Sequence, residues 1–327
     1  MARQIDIVSL YPKDMNIYGD SGNVLTVERR LALYGYEPRI HAVNQNDPWP
    51  DHADIILGGG GQDNGQRKII EDLFRRADLL RSLAQDGVPM LMICGLYQLF
   101  GEYFETVDGS KLEGISIIGA YTVGRDVRMI GNLTESSEQF GTIVGYENHS
   151  GQTFLREHVQ PLGHVDADGC GNNGEDHTEG AVVNHVIGTY MHGSLLPKNP
   201  AISDFLIRAA AERRYGTFAP EQNADMRDEL ARLDALAEHA RGGGRGTPTL
   251  KPRPRRVGGR RRACRVGNDS RLNPGRYHDR TTTLPTTPTC LTSAKACARS
   301  SSRASARSPR PRRRARSSST IWWPAAN

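Results

Sequence analysis

The chain has 327 residues, room for one large or two modest domains, and its net charge of +5 averages two unlike parts. Residues 1–240 hold 20 Lys+Arg against 35 Asp+Glu, a net of −15, whereas residues 241–327 hold 22 against 2, a net of +20. There is no apolar signal core and no apolar run of about 18 residues, and the five cysteines (Cys94, Cys170, Cys264, Cys290, Cys297) form no C-x-x-C pair. Secreted, membrane-spanning and zinc-ribbon classes are disfavoured, and a soluble protein of the reducing cytoplasm is expected.

The elements follow in chain order. "IDIVSLY" (5–11) is a short β-branched run, expected to be a buried strand. A turn at Gly19–Asp20 leads into a helix over about 23–33, with Val24, Leu25, Val27, Leu31 and Leu33 on its apolar face. "EPRIHAV" gives a second strand, and "ADIILGGGGQD" a third that ends in four glycines. "RKIIEDLFRRADLLRSLAQDG" reads as one amphipathic helix stopped at Gly87, and "VPMLMIC" as the next strand. This alternation predicts an α/β fold with a doubly wound, mainly parallel sheet. "GISIIGAYTV", "GTIVGYENHS" and "GAVVNHVIGTYMHG" lack long helices between them and predict antiparallel additions. "PAISDFLIRAAAERRYG" closes the fold, and "DMRDELARLDALAEHAR" is a further, exposed helix. The expected organisation is a domain over 1–215, a C-terminal helix over 216–240 and a tail over 241–327. The tail, rich in Arg, Ser and Pro without apolar periodicity, is expected to be disordered. It reads either as a nucleic-acid or anionic-surface arm, or as a nonfunctional extension of the kind a GC-rich gene yields out of frame.

Three stretches carry chemistry. Cys94 ends a strand and precedes a short helix "LYQLFG". Function gathers at such strand ends, and a helix N-terminus favours a thiolate. Gly95 permits the tight turn of a nucleophile elbow. The other reading is a buried packing cysteine, and this stretch alone does not choose. "LGGGGQD" also lies at a strand end, where an N–H from Gly59 or Gly60, with that of Gly95, could hold an oxyanion. It lacks the ending of a nucleotide P-loop. A thiolate nucleophile needs an imidazole, and His149, His185 and His192 are candidates, with His192 at a strand end before a loop.

The order of glycine turn, cysteine elbow and later histidine resembles the class I glutamine amidotransferases. "CGLYQLFG" with "GTYMHG" resembles their cobyric acid synthase-like branch. "LYPKDMNIYGDSGNVLTVERR", "ILGGGGQDNGQ", "RMIGN", "GYENHSGQT", "GNNGEDHTEGA" and "IGTYMHGSLLPKNP" are together similar to the glutaminase subunits of lipid II isoglutaminyl synthases, over residues 4 to about 215. The resemblance implies a flavodoxin-like fold, with Cys94 as the nucleophile and His192 as its base. It also implies that Arg128 binds the glutamine α-carboxylate and that Gln98 lines the pocket.

The chain departs from that pattern in places. His192-Gly193-Ser194 replaces the H-x-E of many class I domains, so the acidic third member is missing from its usual place. Met92 and Leu96 stand where glycines are commoner, and Cys170 reads as incidental. No cofactor is expected in this chain. The resemblance implies a Mur ligase-like partner, holding ATP and Mg²⁺, that amidates the D-glutamate of lipid II in peptidoglycan synthesis. Two rivals are a cobyric acid synthase-type amidotransferase and a nucleic-acid-binding protein acting through the tail.

Overall fold

The computed structural model describes residues 3–166, 169–221 and 223–244, all within one unit, Met1–Arg260. In chain order the elements are β1 (Arg3–Leu10), α1 (Ser21–Leu33), β2 (Tyr36–Val43), β3 (Ile55–Gly58), α2 (Asp63–Arg75), α3 (Ala77–Gln85), β4 (Met90–Ile93) and α4 (Gly95–Phe100). There follow β5 (Tyr103–Glu105), β6 (Lys111–Glu113), β7 (Ala120–Ser137), β8 (Gly141–Leu155), β9 (Gly163–Val165), β10 (Thr178–Glu179), β11 (Ala181–Val183), β12 (Val186–Thr189) and β13 (Met191–His192). The helices α5 (Leu195–Lys198), α6 (Pro200–Tyr215) and α7 (Ala224–Gly244) complete the described residues.

The first sheet has the order β11-β12-β4-β3-β1-β2. Its neighbours are parallel except for β11, which pairs antiparallel with β12. Every residue of β3, β4 and β12 is buried, which is why these strands read as unbroken apolar runs: helices cover both faces. The expected doubly wound sheet is therefore present, and β11 is its antiparallel addition. The remaining strands form a second sheet, in which β7 and β8 make a long antiparallel hairpin, flanked by β5, β6, β9, β10 and β13; its pairings are antiparallel except that of β5 with β7.

Two helices differ from expectation. The segment after the glycines breaks at Arg76 into α2 and α3. The Arg76 guanidinium donates to Asp72 at 2.6 Å and to the Asp47 carbonyl at 2.7 Å, pinning the break to the loop after β2. The last helix runs over Ala224–Gly244 rather than 216–240, because Gly216, at φ 76°, ends α6 and a loop follows. It does not stand free. Buried Arg30 of α1 forks onto Asp204 of α6 at 2.6 and 2.8 Å and reaches Asp234 of α7 at 2.7 Å. The tail's first four residues belong to α7, and the disorder expected beyond Gly244 falls outside the described residues. Among the described residues no helix is long and apolar enough to cross a membrane.

Candidate active site

Four neighbouring strand ends of the first sheet point the same way, and the site is assembled on them. Cys94 occupies the sharp turn between β4 and α4 with φ 47° and ψ −99°. A non-glycine residue in such a conformation costs on the order of 1–3 kcal/mol and is held only where its surroundings enforce it. Here the Cys94 N–H donates to the Thr189 carbonyl at the end of β12, at 2.8 Å. On the other side the glycine turn after β3 lies directly on the elbow. A Cβ on Gly95 would fall 3.0 Å from both N and O of Gly61. Cys94 is 7% exposed, so it is mostly buried but lines an open cavity. Both readings of this cysteine hold in part: it packs, and it faces a ligand-sized space.

His192 sits on β13, fully buried. Its Nδ1 lies 3.3 Å from both carboxylate oxygens of Asp20, which is itself buried in the loop after β1. Such a carboxylate favours a proton on Nδ1 and turns Nε2 toward its reaction partner. Among the described residues that Nε2 has no hydrogen-bond partner. Burial would lower the imidazole pKa, but the charge of Cys94 and the contact with Asp20 outweigh it and raise it to about 10. Gly60 lies between base and nucleophile. A Cβ there would come within 2.3 Å of His192 Cε1 and 3.2 Å of Cys94 Cβ, so only glycine allows this approach.

The structure separates the glycines of the turn by what each one meets. The Gly60 N–H donates to Asp20 Oδ2 at 2.7 Å and is committed to that carboxylate rather than offered to an oxyanion. Gly61, not Gly59 or Gly60, lines the cavity beside Cys94. A Cβ on Gly59 would instead meet the Met15 carbonyl at 2.2 Å, so that glycine serves the packing of the loop after β1.

The cavity has a volume of about 380 Å³, and its far wall belongs to the second sheet. In the β7–β8 ladder, Gly124 pairs with Gly151 and Met129 with His149, so residues 125–128 bulge out opposite Ser150. The bulge carries Arg128 to the rim. Its Nε donates to Asn148 at 2.6 Å and an Nη to the Tyr18 hydroxyl at 3.3 Å. The Tyr18 ring meets His192 edge-on at a centroid distance of 4.7 Å. Gln98 does line the cavity, but its amide is engaged: it accepts from Gln66 at 2.7 Å and donates to Tyr190 at 3.1 Å. His149 also lines the cavity, with its ring stacked on Tyr190 and Nδ1 against the Gly151 carbonyl, so it is a wall rather than a base. His185 is far from this in role: its ring packs near Gly87 and Phe205. Cys170 lies half-buried beside Glu147, outside the cavity lining.

Residues 6–200 match the CobB/CobQ-like glutamine amidotransferase domain. The chain belongs to that family. Its architecture is accordingly the class I glutamine amidotransferase fold. It is similar to the GatD subunit of lipid II isoglutaminyl synthase (glutamine-hydrolyzing) from Staphylococcus aureus, 35% identical over 72% of this chain and 96% of the relative. It is also similar to GatD of Streptococcus pneumoniae, 36% identical over 65% of this chain and 83% of the relative. A probable cobyric acid synthase of Methanothermobacter thermautotrophicus is 34% identical over 48% of this chain, but over only 36% of its own length.

Within this amidotransferase fold, sequence reasoning missed Asp20, Gly61, Tyr18 and Asn148. In the sequence Asp20 marks only a turn before a helix. Its signal was topological: β1 and β3 are adjacent parallel strands, so the loops at their carboxyl ends must meet.

Proposed function

We propose that this chain is the glutaminase subunit of a lipid II isoglutaminyl synthase, hydrolysing glutamine and passing ammonia to a synthetase subunit. The observation that supports it most is that Cys94, backed by the buried His192–Asp20 pair, lines a cavity rimmed by Arg128. The similarity to GatD across nearly its whole length favours this reading over a cobyric acid synthase, of which the matching relative is covered by about a third.

The chemistry follows from the placement. Arg128, steadied by Asn148 and Tyr18, takes the α-carboxylate of glutamine. The Cys94 thiolate attacks the side-chain amide carbon, and the carbonyl electrons move onto oxygen. N–H groups of Gly61 and Gly95 are assigned to that oxyanion, since Gly60 is taken by Asp20. Protonated His192 gives its Nε2 proton to the departing nitrogen, and ammonia leaves a glutamyl thioester. Water then attacks the thioester, His192 removes its proton, and glutamate departs as the thiolate re-forms. Asp20 holds the imidazole and steadies its charge throughout.

Hydrolysis alone makes no amide bond. The partner is proposed to be a Mur ligase-like subunit that activates the D-glutamate carboxyl with ATP and Mg²⁺, in the cytoplasm. The deciding experiment is reconstitution, with lipid II followed by mass spectrometry. The full chain plus that partner, ATP and Mg²⁺ should yield amidated lipid II from glutamine. With Cys94→Ala, free ammonia should support the reaction and glutamine should not. Equal use of glutamine by the Cys94→Ala complex would refute the proposal.

A further inference from the structure

"GNNGEDHTEGA" contributes nothing to the steps above, yet it delivers Glu179 to the centre of the fold. Glu179 ends β10 and is wholly buried. Among the described residues no Lys, Arg or His pairs with it. A bare buried carboxylate is costly, and a packing role would be served as well by an apolar side chain. Its hydrogen bonds show what it holds instead.

The Glu179 carboxylate accepts the Tyr190 N–H at 2.7 Å and the Thr189 hydroxyl at 2.8 and 3.0 Å. Thr189 Oγ1 in turn accepts the Met191 N–H at 3.0 Å. One carboxylate thus fixes three consecutive residues. At one end of this stretch the Thr189 carbonyl receives the Cys94 N–H at 2.8 Å, and at the other the next residue is His192. The only covalent path from the β12 end to the base runs through the segment that Glu179 clamps.

We propose that Glu179 is a positioning residue of the glutaminase: its ionised carboxylate clamps residues 189–191, setting the Cys94 elbow against the His192 imidazole, and the clamp loosens when the carboxylate is protonated. The inference rests on the glutaminase reading and adds a residue to it. A protonated carboxyl turns one of its acceptor oxygens into a donor, so it cannot hold the same bonds.

Three titratable groups face Glu179 from the elements packed around it: Glu135 of β7, Glu147 of β8 and Tyr97 of α4. Glu135 is wholly buried, and among the described residues neither of its oxygens is hydrogen-bonded. Burial, and then the charge of Glu179, push its carboxyl far up. The hydrogen bonds that favour an ionised carboxylate are all on Glu179, so the negative charge of the pair rests there. Burial lifts Glu179 to about 7, against the opposing bonds from Tyr190 and Thr189, and the charge of Glu147 adds to the lift. The clamp is therefore complete above neutrality and weakens below it.

The test is the pH dependence of kcat and KM for glutamine hydrolysis by the full chain, for wild type, Glu179→Gln and Thr189→Val. Wild-type hydrolysis tests the glutaminase reading by itself, and the variants test the clamp. Glu179→Gln should lower kcat by about 10- to 100-fold, the scale of a small misplacement of reacting groups, with KM within about twofold. Its acid limb near neutrality should vanish with the group that titrates. Thr189→Val keeps the shape and removes a bond to the ionised carboxylate. Its kcat should fall several-fold, and its acid limb should move to higher pH. Should Glu179→Gln fail to fold, Thr189→Val decides alone. Wild-type kcat in Glu179→Gln, or an acid limb unmoved in Thr189→Val, overturns the proposal, as does a loss expressed only in KM.

Discussion

The two walls of the cavity are built on opposite principles. The chemical wall comes from the strand ends of the first sheet: Cys94, the glycine turn and Asp20 are buried and locked by backbone bonds, and His192 follows directly from β12. The recognition wall comes from a bulge in the second sheet, where Arg128 is exposed and held only by side chains, Asn148 and Tyr18. Reaction geometry demands tolerances of tenths of an ångström, which rigid elements supply. Capture of a charged amino acid tolerates motion, and a guanidinium on an extruded loop can close on it. The contrast predicts that chemical-wall variants lose kcat while recognition-wall variants lose KM.

The largest effects should fall on the chemical wall. Cys94→Ala should reduce glutamine hydrolysis to background with the melting temperature little changed, since a small side chain at the cavity edge fills little core. His192→Ala should lose about 10²–10⁴-fold in kcat, the range of general acid–base catalysis. The double variant should be no worse than Cys94→Ala, because the pair acts as a unit. Additive losses would break the view of this wall as one device.

Asp20→Asn should come next. A carboxylate in full hydrogen-bond contact with a catalytic histidine contributes about 10⁴-fold. At 3.3 Å the contact is looser, and a loss of about 10²-fold in kcat is expected. The pH dependence gives a sharper readout. His192 is raised to about 10 by Cys94 and Asp20, so the imidazolium persists through neutrality and activity should fall as pH passes about 10. Without the carboxylate that alkaline limb should move to lower pH. Stability follows with a fixed sign. A raised imidazole contributes fully below its unfolded pKa of about 6.5 and is lost as pH climbs through the folded value. Wild type should lose stability across that window, and Asp20→Asn should lose less. An alkaline limb unchanged in Asp20→Asn would show that Asp20 serves the glycine turn alone.

The same contrast explains what could be read from the sequence. Buried parallel strands announce themselves as apolar runs, Cys94 and the glycines stand at their ends, and His192 follows three residues after the end of β12, so most of the chemical wall was legible. Asp20 was not, because its partner His192 is 172 residues away and its local context, "YGDSGN", is that of any helix start. That the Gly60 N–H is committed was not legible either, because its acceptor is a carboxylate from another loop. The recognition wall left almost no periodic signal. Arg128 lies inside an 18-residue strand whose pattern is interrupted by the bulge, and only the resemblance pointed to it. Non-local pairing likewise hid the second sheet, whose strands read as additions to the first.

On the recognition wall, Arg128→Ala should cost about 1.5–3 kcal/mol in kcat/KM, the range for hydrogen bonds to charged groups, mostly through KM. Arg128→Lys should recover only part of it, since an ammonium cannot make the paired contact. A loss confined to kcat would mean that Arg128 serves the transition state, and the division between the walls would have to be redrawn.

The smallest and most discriminating change is Tyr18→Phe. Tyr18 spans the two walls: its hydroxyl accepts from Arg128 at 3.3 Å and its ring edge rests on His192. Removing the hydroxyl deletes one long, half-exposed hydrogen bond, at most about 1 kcal/mol, and keeps the ring contact. If the walls act separately, KM should rise a few-fold at most, with kcat and the alkaline limb in place. A matching fall in kcat would mean that Arg128 reports to His192 through Tyr18. Substrate binding would then help to set the base, and the exposed wall would be part of the chemistry. Comparing Tyr18→Phe with Tyr18→Ala separates the cases, because only the alanine variant removes the ring from His192. Loss of kcat in the alanine variant alone assigns the coupling to packing, and loss in both assigns it to the hydroxyl.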